Sequence, residues 1–371
     1  MRLKASAEQQ ELRESVRRFV ADRAPLPRVR ELMETASGMD AAVWQQASTQ
    51  LGLPAVAIPE KYGGAGFTFA EQAIVLEELG AGLSGGPYLA SAVLAATALL
   101  ASQDEDAKHD MLPAIAAGQT IATLAFTEDD GSWEPDAIQL AALSTPDGWR
   151  LTGHKSFVLD GHTADLLLVA ARTDAGLSLL AVDGSASGLT RTPLAALDQT
   201  RKLARLEFSS VPGRLIGTPG EAGAVLGHTL DVAAIALAAE QLGGAQRALD
   251  MAVSYAKVRH QFGRPIGSFQ AIKHRCADLL LEVESLRSAV AYAAAAVAEG
   301  SSEVPMLASL VKAYASEVYF HVAAENIQIH GGIGFTWEHD AHLYLKRAKS
   351  AELLLGDGSY HRERLATRIG L

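Results

Sequence analysis

From Glu221 onward the chain is dominated by long helical patterns, over roughly 221–258, 268–299 and 303–329, with a shorter one from Leu353, and this constrains the fold more than any other feature. Helices of that length can hide their apolar faces only against one another. The region is therefore expected to form a helical bundle, with Gly300-Ser301-Ser302 and Gly331-Gly332-Ile333-Gly334 as natural stops. The longest apolar runs, Val232 to Ala239 and Ala289 to Ala298, are too short to span a bilayer and are bounded by Asp231, Glu240, Ser288 and Glu299. They read as buried helix, with no membrane span.

The rest of the chain has a different texture. Over 7–116 the pattern is again helical, with Leu12, Val16, Phe19 and Val20 at helical spacing and a second apolar face over 70–79. Between these lies Leu51 to Gly66, where Pro54, Pro59, Gly63, Gly64 and Gly66 forbid a continuous helix and predict an ordered loop. From about Gly118 to Gly217 short β-prone runs alternate with turns, over 120–127, 149–159, 165–171, 178–182 and 203–208. No helix there is long enough for a parallel crossover, so an antiparallel sandwich or barrel is expected. The stretch Leu151 to Val158, with Gly153-His154-Lys155 at its centre, suits a hairpin. The expected domains are 1–117 (helical), 118–217 (β) and 218–371 (helical bundle).

Charge and cysteine usage narrow the function. The net charge of -11 argues against a nucleic-acid partner, because neutralising phosphates needs a basic surface. The single cysteine, Cys276, excludes an intrachain disulfide or a thiolate metal cluster. The opening residues lack both the apolar core of a signal peptide and the character of a transit peptide, so a cytoplasmic location is expected. Trp337 to His342 offers two histidines beside acids, but no further ligand lies nearby. It reads as a solvated helix start, and no metal is expected.

Three segments carry chemistry. Arg259-His260-Gln261-Phe262-Gly263-Arg264-Pro265 followed by Phe269-Gln270 falls where one helix yields to the next, and Gln328-Ile329-His330-Gly331-Gly332-Ile333-Gly334-Phe335 ends another. With the loop Pro59-Glu60-Lys61-Tyr62-Gly63-Gly64, these resemble the acyl-CoA dehydrogenases over nearly the whole chain. An arginine donates to phosphate oxygens in a planar fork, and glycines let backbone approach a ligand closely. By resemblance Arg259, Phe262, Gln270, Gln328, Gly331 and Gly332 are the candidate contacts to FAD. Thr127, in Phe126-Thr127-Glu128, and Phe157, at the family's aromatic position, complete the set.

The resemblance implies an oxidoreductase that removes the α-hydrogen of an acyl-CoA thioester as a proton and the β-hydrogen as hydride, giving the 2,3-enoyl-CoA in fatty-acid or steroid side-chain oxidation. That reaction needs a carboxylate base. Relatives place it at one of two positions, and here those hold Leu355 and Ala233. Glu240 lies on the same helix face as Ala233 but roughly 10 Å along the axis, so it is a candidate only as a displaced base. Leu159 also replaces a flavin-side Thr, and Asp357 stands where relatives have another. These departures point to a tetramer in which a second acyl-CoA dehydrogenase subunit supplies the base. A homotetramer relying on Glu240 and a purely structural subunit are the alternatives. The resemblance further implies an electron-transferring flavoprotein as electron acceptor.

Overall fold

The computed structural model describes residues 5–84 and 86–371. In chain order it begins with α1 (Ala7–Arg23), α2 (Leu26–Met33), α3 (Ala41–Leu51) and α4 (Phe69–Ala81). A π-helical stretch (Tyr88–Ala95) then runs into α5 (Ala96–Ala101), followed by α6 (Glu105–Ala116). Seven strands come next: β1 (Ala122–Ala125), β2 (Ala141–Thr145), β3 (Gly148–Leu159), β4 (Leu166–Thr173), β5 (Gly176–Asp183), β6 (Leu189–Leu194) and β7 (Leu203–Ile216). Last are α7 (Ala222–Val258), the small ribbon β8 (His260–Gln261) and β9 (Arg264–Pro265), α8 (Gln270–Ala298), α9 (Val304–His330), α10 (Ala341–Leu353) and α11 (Gly358–Arg368). The short helix expected from Leu353 onward starts instead at Gly358, as α11, because α10 ends at Leu353 and Gly356 (φ 98°) breaks the helical path between them.

These elements form two compact units. One comprises Arg30–Thr68 and Gly85–Ala233 and contains the sheet. Its strands run β1-β4-β2-β3-β7-β5, and a further β4–β5 pairing closes the path into a ring, with β6 added on β7. Closure pairs β2, β3, β4, β5 and β7 on both sides, as in a barrel, while β1 and β6 each pair on one side. The pairings are antiparallel except β1 with β4 and a single contact of β2 with β4. Leu151, Val158, Leu167, Val169, Leu180, Val182, Leu206 and Phe208 fill its core. The expected hairpin over 151–158 is not formed. β3 is one continuous strand, and register shifts between Leu151 and Gly153 and between Lys155 and Val158 take up the residues that looked like a turn.

The other unit comprises the chain up to Val29, Phe69–Ser84 and Ala234–Leu371. Its helices meet at glycines. A Cβ on Gly243 would stand 1.8 Å from the Glu77 carbonyl oxygen, and one on Gly80 would overlap the Glu240 carbonyl, so α4 and α7 cross backbone to backbone. A Cβ on Gly244 would overlap the fully buried Tyr319 ring of α9. Next to this crossing Glu78 accepts from Arg13 and Arg17 at 2.9 Å, and Glu77 pairs with Arg13 at 2.7 Å and with Arg287. By length and composition α7 passes as a membrane span. However, 72% of its apolar window is buried inside the protein, so the apolarity is that of a core helix.

The crossing makes a paired prediction. Gly243→Ala should destabilise the protein by about 1–3 kcal/mol, because backbone rather than a movable side chain obstructs the methyl. Gly227→Ala, also in α7 but with nothing within 4 Å of the added methyl, should stabilise it by about 0.5–1 kcal/mol through helix propensity. Thermal melts of the two variants should shift in opposite directions.

Candidate active site

Where α7 ends, the Arg259 N–H still bonds the Tyr255 carbonyl at 2.9 Å, and the chain then doubles back as β8 and β9. The two corner residues of this ribbon, Phe262 (φ 54°) and Gly263 (φ 78°), are both left-handed, the sign pattern of a type I′ turn. Glycine accepts that conformation freely and phenylalanine does not. Phe262 is nonetheless held there with 90% of its surface exposed. Its ring meets Phe269 edge-on at 6.1 Å, and the Arg264 guanidinium lies 4.1 Å over Phe269. Gln270 opens α8 and is exposed, as is Arg259, which has no carboxylate partner among the described residues.

The end of α9 lies against this ribbon. Ile329 packs with Ala252, Ala256, Ile266, Ile272 and Cys276, and His330 stacks on Tyr255 with ring centroids 4.2 Å apart. Two segments nearly seventy residues apart in sequence are thereby joined through α7. His330 donates from Nδ1 to the Asn326 carbonyl at 2.8 Å, and its burial lowers its pKa. Gln328 is exposed. Gly331 takes φ 65°, ψ -144°, a conformation suited to glycine, and space is open where side chains at Gly331 and Gly332 would stand.

In the β-sheet unit, Thr127 and Ser156 bond twice. The Ser156 N–H donates to the Thr127 carbonyl at 2.9 Å, and the Thr127 hydroxyl donates to the Ser156 carbonyl at 2.6 Å. The hydroxyl proton is thus spent, which leaves Thr127 as an acceptor toward any ligand. Phe157 follows in the β3 bulge, left-handed at φ 58° and 41% exposed. Asp129 accepts from Ser156 and Arg205 and faces His154 at 3.0 Å. Beneath it the fully buried Lys155 bonds Glu128 and the Phe126 carbonyl, each at 2.9 Å. Burial pulls the Lys155 pKa down to about 8, opposed by Glu128.

Neither position expected to hold the base carries a proton acceptor. Ala233 is fully buried, and Leu355, 3% exposed, sits left-handed (φ 63°) in the turn between α10 and α11. Glu240 is buried and paired with Arg347 of α10 at 3.0 Å. Asp357 caps α11, accepting from the Tyr360 N–H at 2.8 Å. Sequence reasoning missed the groups that grip the Leu355 turn. Lys312 of α9, fully buried, donates to the carbonyls of Gly356 (2.9 Å) and Glu352 (3.1 Å), and His361 Nε2 donates to the Leu355 carbonyl (2.9 Å). A basic residue in an apolar helical pattern, as at Val311-Lys312-Ala313, was the available signal. A separate cavity of about 930 Å³ lies among Arg13, Arg17, Glu77, Glu78, Arg247 and Tyr344, and none of the residues nominated from the sequence lines it.

Models of the N-terminal, middle and C-terminal domains of acyl-CoA dehydrogenases match residues 6–119, 123–211 and 223–370. The chain belongs to the acyl-CoA dehydrogenase family. It is 40% identical over 351 residues to acyl-CoA dehydrogenase IpdE2 of Mycobacterium tuberculosis, covering 94% of this chain and 93% of that one. Against IpdE2 of Mycolicibacterium smegmatis the identity is 37% over 364 residues, covering 98% and 99%. Among solved structures it is similar to the ChsE4-ChsE5 complex from Mycobacterium tuberculosis (TM-score 0.90, 31% identity, 100% and 99% covered). It is also similar to a variant of the Tcur3481-Tcur3483 steroid ACAD (TM-score 0.88, 33% identity, 98% and 97% covered).

The acyl-CoA dehydrogenase is therefore an FAD-dependent oxidoreductase by family, and the residues present fit that cofactor. An exposed guanidinium without a carboxylate partner suits a pyrophosphate, open backbone at Gly331 and Gly332 suits close approach, and Phe262 and Phe157 present aromatic surface.

His361 yields a pH prediction. Burial first, then the Lys312 charge, pulls its pKa from 6.5 down to about 3, and Nδ1 has no hydrogen-bond partner to share a second proton. A folded value below the unfolded one means that the stabilisation is complete above pH 6.5 and is lost as pH falls toward 3, at up to about 1.4 kcal/mol per pH unit. His361→Gln keeps a donor to the Leu355 carbonyl but does not titrate. Its melting temperature should fall less steeply than the wild type's between pH 6.5 and pH 4.

Proposed function

We propose that this acyl-CoA dehydrogenase is one subunit of a hetero-oligomer that converts an acyl-CoA thioester to the 2,3-enoyl-CoA, and that its partner subunit brings the catalytic base. The observation that carries this reading is the chemistry at the base positions. Leu355 and Ala233 offer only hydrocarbon, and both are buried. The likeness to the ChsE4-ChsE5 complex and to the Tcur3481-Tcur3483 steroid ACAD supports a paired assembly and an acyl group from steroid breakdown.

In this reading Arg259, Phe262, Gln270, Gln328, Gly331 and Gly332 in the helical unit, and Thr127 and Phe157 in the sheet unit, are the residues that contact FAD. Bound there, FAD would supply the acceptor for the β-hydrogen as hydride, with an electron-transferring flavoprotein as the expected sink for its electrons. The chain's own residues orient the cofactor and exclude water. They do not take the α-proton. Glu240 is unsuited to that task, because its carboxylate is held in a buried ion pair with Arg347 of α10 that it would have to break.

Two measurements test the proposal. The isolated chain should carry well under one FAD per chain and oxidise acyl-CoA negligibly, with both restored on assembly with the base-bearing subunit. Full flavin and turnover without a partner would sink the reading. Glu240→Gln should lower the melting temperature through loss of the Arg347 pair yet leave turnover of the assembled enzyme within about threefold. Abolished turnover in a folded assembly would make Glu240 the base.

A further inference from the structure

We infer that Lys312 and His361 are positioning residues that fix the Leu355 turn, so that the backbone delivers the side chain at position 355 to the acyl-thioester site as a rigid apolar wall. This rests on the dehydrogenase reading above and adds to it what the buried polar groups behind the turn are for. The connection from α10 to α11 spans only Leu354 to Asp357, and three carbonyls in and beside it have captors. Lys312 Nζ holds those of Glu352 and Gly356 at 3.1 and 2.9 Å, and His361 holds that of Leu355 at 2.9 Å. Lys312 also donates to Ser316 at 3.0 Å, so three acceptors surround its ammonium.

The captors come from two helices that pack together, α9 and α11, and both are buried. The turn is thus anchored from behind by its carbonyls, without using the Leu355 side chain. Leu355 pays for this in conformation, since a branched side chain at φ 63° is strained and persists only where its surroundings over-determine it. A loop whose sole task was to join two helices could adopt an unstrained path. A loop that must present one side chain in one direction is held in this manner. Lys312 carries charge into an apolar interior for the same reason: a cation binds several carbonyls at once more strongly than neutral donors do.

The test is Lys312→Met, which keeps an unbranched stem one atom shorter and removes its donors. Hydrogen exchange over 352–361 should become roughly 10- to 100-fold faster while α7 exchanges as before. In the assembled enzyme the KM for acyl-CoA should rise about tenfold with flavin content unchanged, a split that a general loss of folding would not give. If Lys312→Met does not fold, His361→Leu, which removes only the donor to Leu355, should show the same two effects at smaller size. Unchanged exchange over 352–361 would overturn the clamp. Faster exchange with an unchanged KM would overturn the positioning role, while flavin binding and turnover of the wild-type assembly judge the dehydrogenase reading separately.

Discussion

The structure depends on the close crossing of α7 with α4 and α9. Only glycine at positions 80, 243 and 244 lets these backbones and the Tyr319 ring approach as they do, and the carboxylates of Glu77 and Glu78 beside the crossing bind α1 and α8 to α4. Two consequences for function follow from where this spine leads. At its far end α7 launches the ribbon that presents Phe262, and through Tyr255 it carries the end of α9, where Gly331 and Gly332 lie open. The candidate flavin contacts of these two segments, far apart in sequence, come together because both segments pack against α7.

Buried charge is the second organising theme. Glu240 with Arg347, Lys155 with Glu128, and Lys312 with its carbonyls each take an ion out of water, and each is matched by several hydrogen-bonding partners or by an opposite charge. Lone buried ions would be far costlier, so these groups specify geometry more than they add stability. In the β-sheet unit, Lys155 and Glu128 fix the strand beneath Phe157. In the helical unit, Arg347 ties α10 to α7 through Glu240, and Lys312 grips the turn after α10 that carries Leu355.

Much of this was legible in the sequence. The long helices followed from apolar periodicity and Gly-rich stops, and their ends lie within a residue or two of where the pattern placed them, as with 303–329 against Val304–His330. The candidate flavin segments were nominated through family resemblance, and the structure places both at helix ends. The Gly153-His154-Lys155 stretch was misread as a turn, because a bulge and a hairpin both ask for glycine among β-prone residues and only pairing with β7 tells them apart. β2 and β6 escaped notice as short, largely solvent-facing strands. Lys312, Arg347 and His361 were illegible as a group, since their partners lie tens of residues away or are backbone carbonyls, which every sequence has.

The central claim is that this subunit holds the flavin site but not the base, and the most direct measurement is isotope exchange at the acyl α-carbon. The chain, reconstituted with FAD and given an acyl-CoA in deuterated buffer, should incorporate no α-deuterium beyond the uncatalysed rate until the partner subunit is added. Rapid α-deuterium incorporation by this chain alone would show that it carries its own base and would contradict the account.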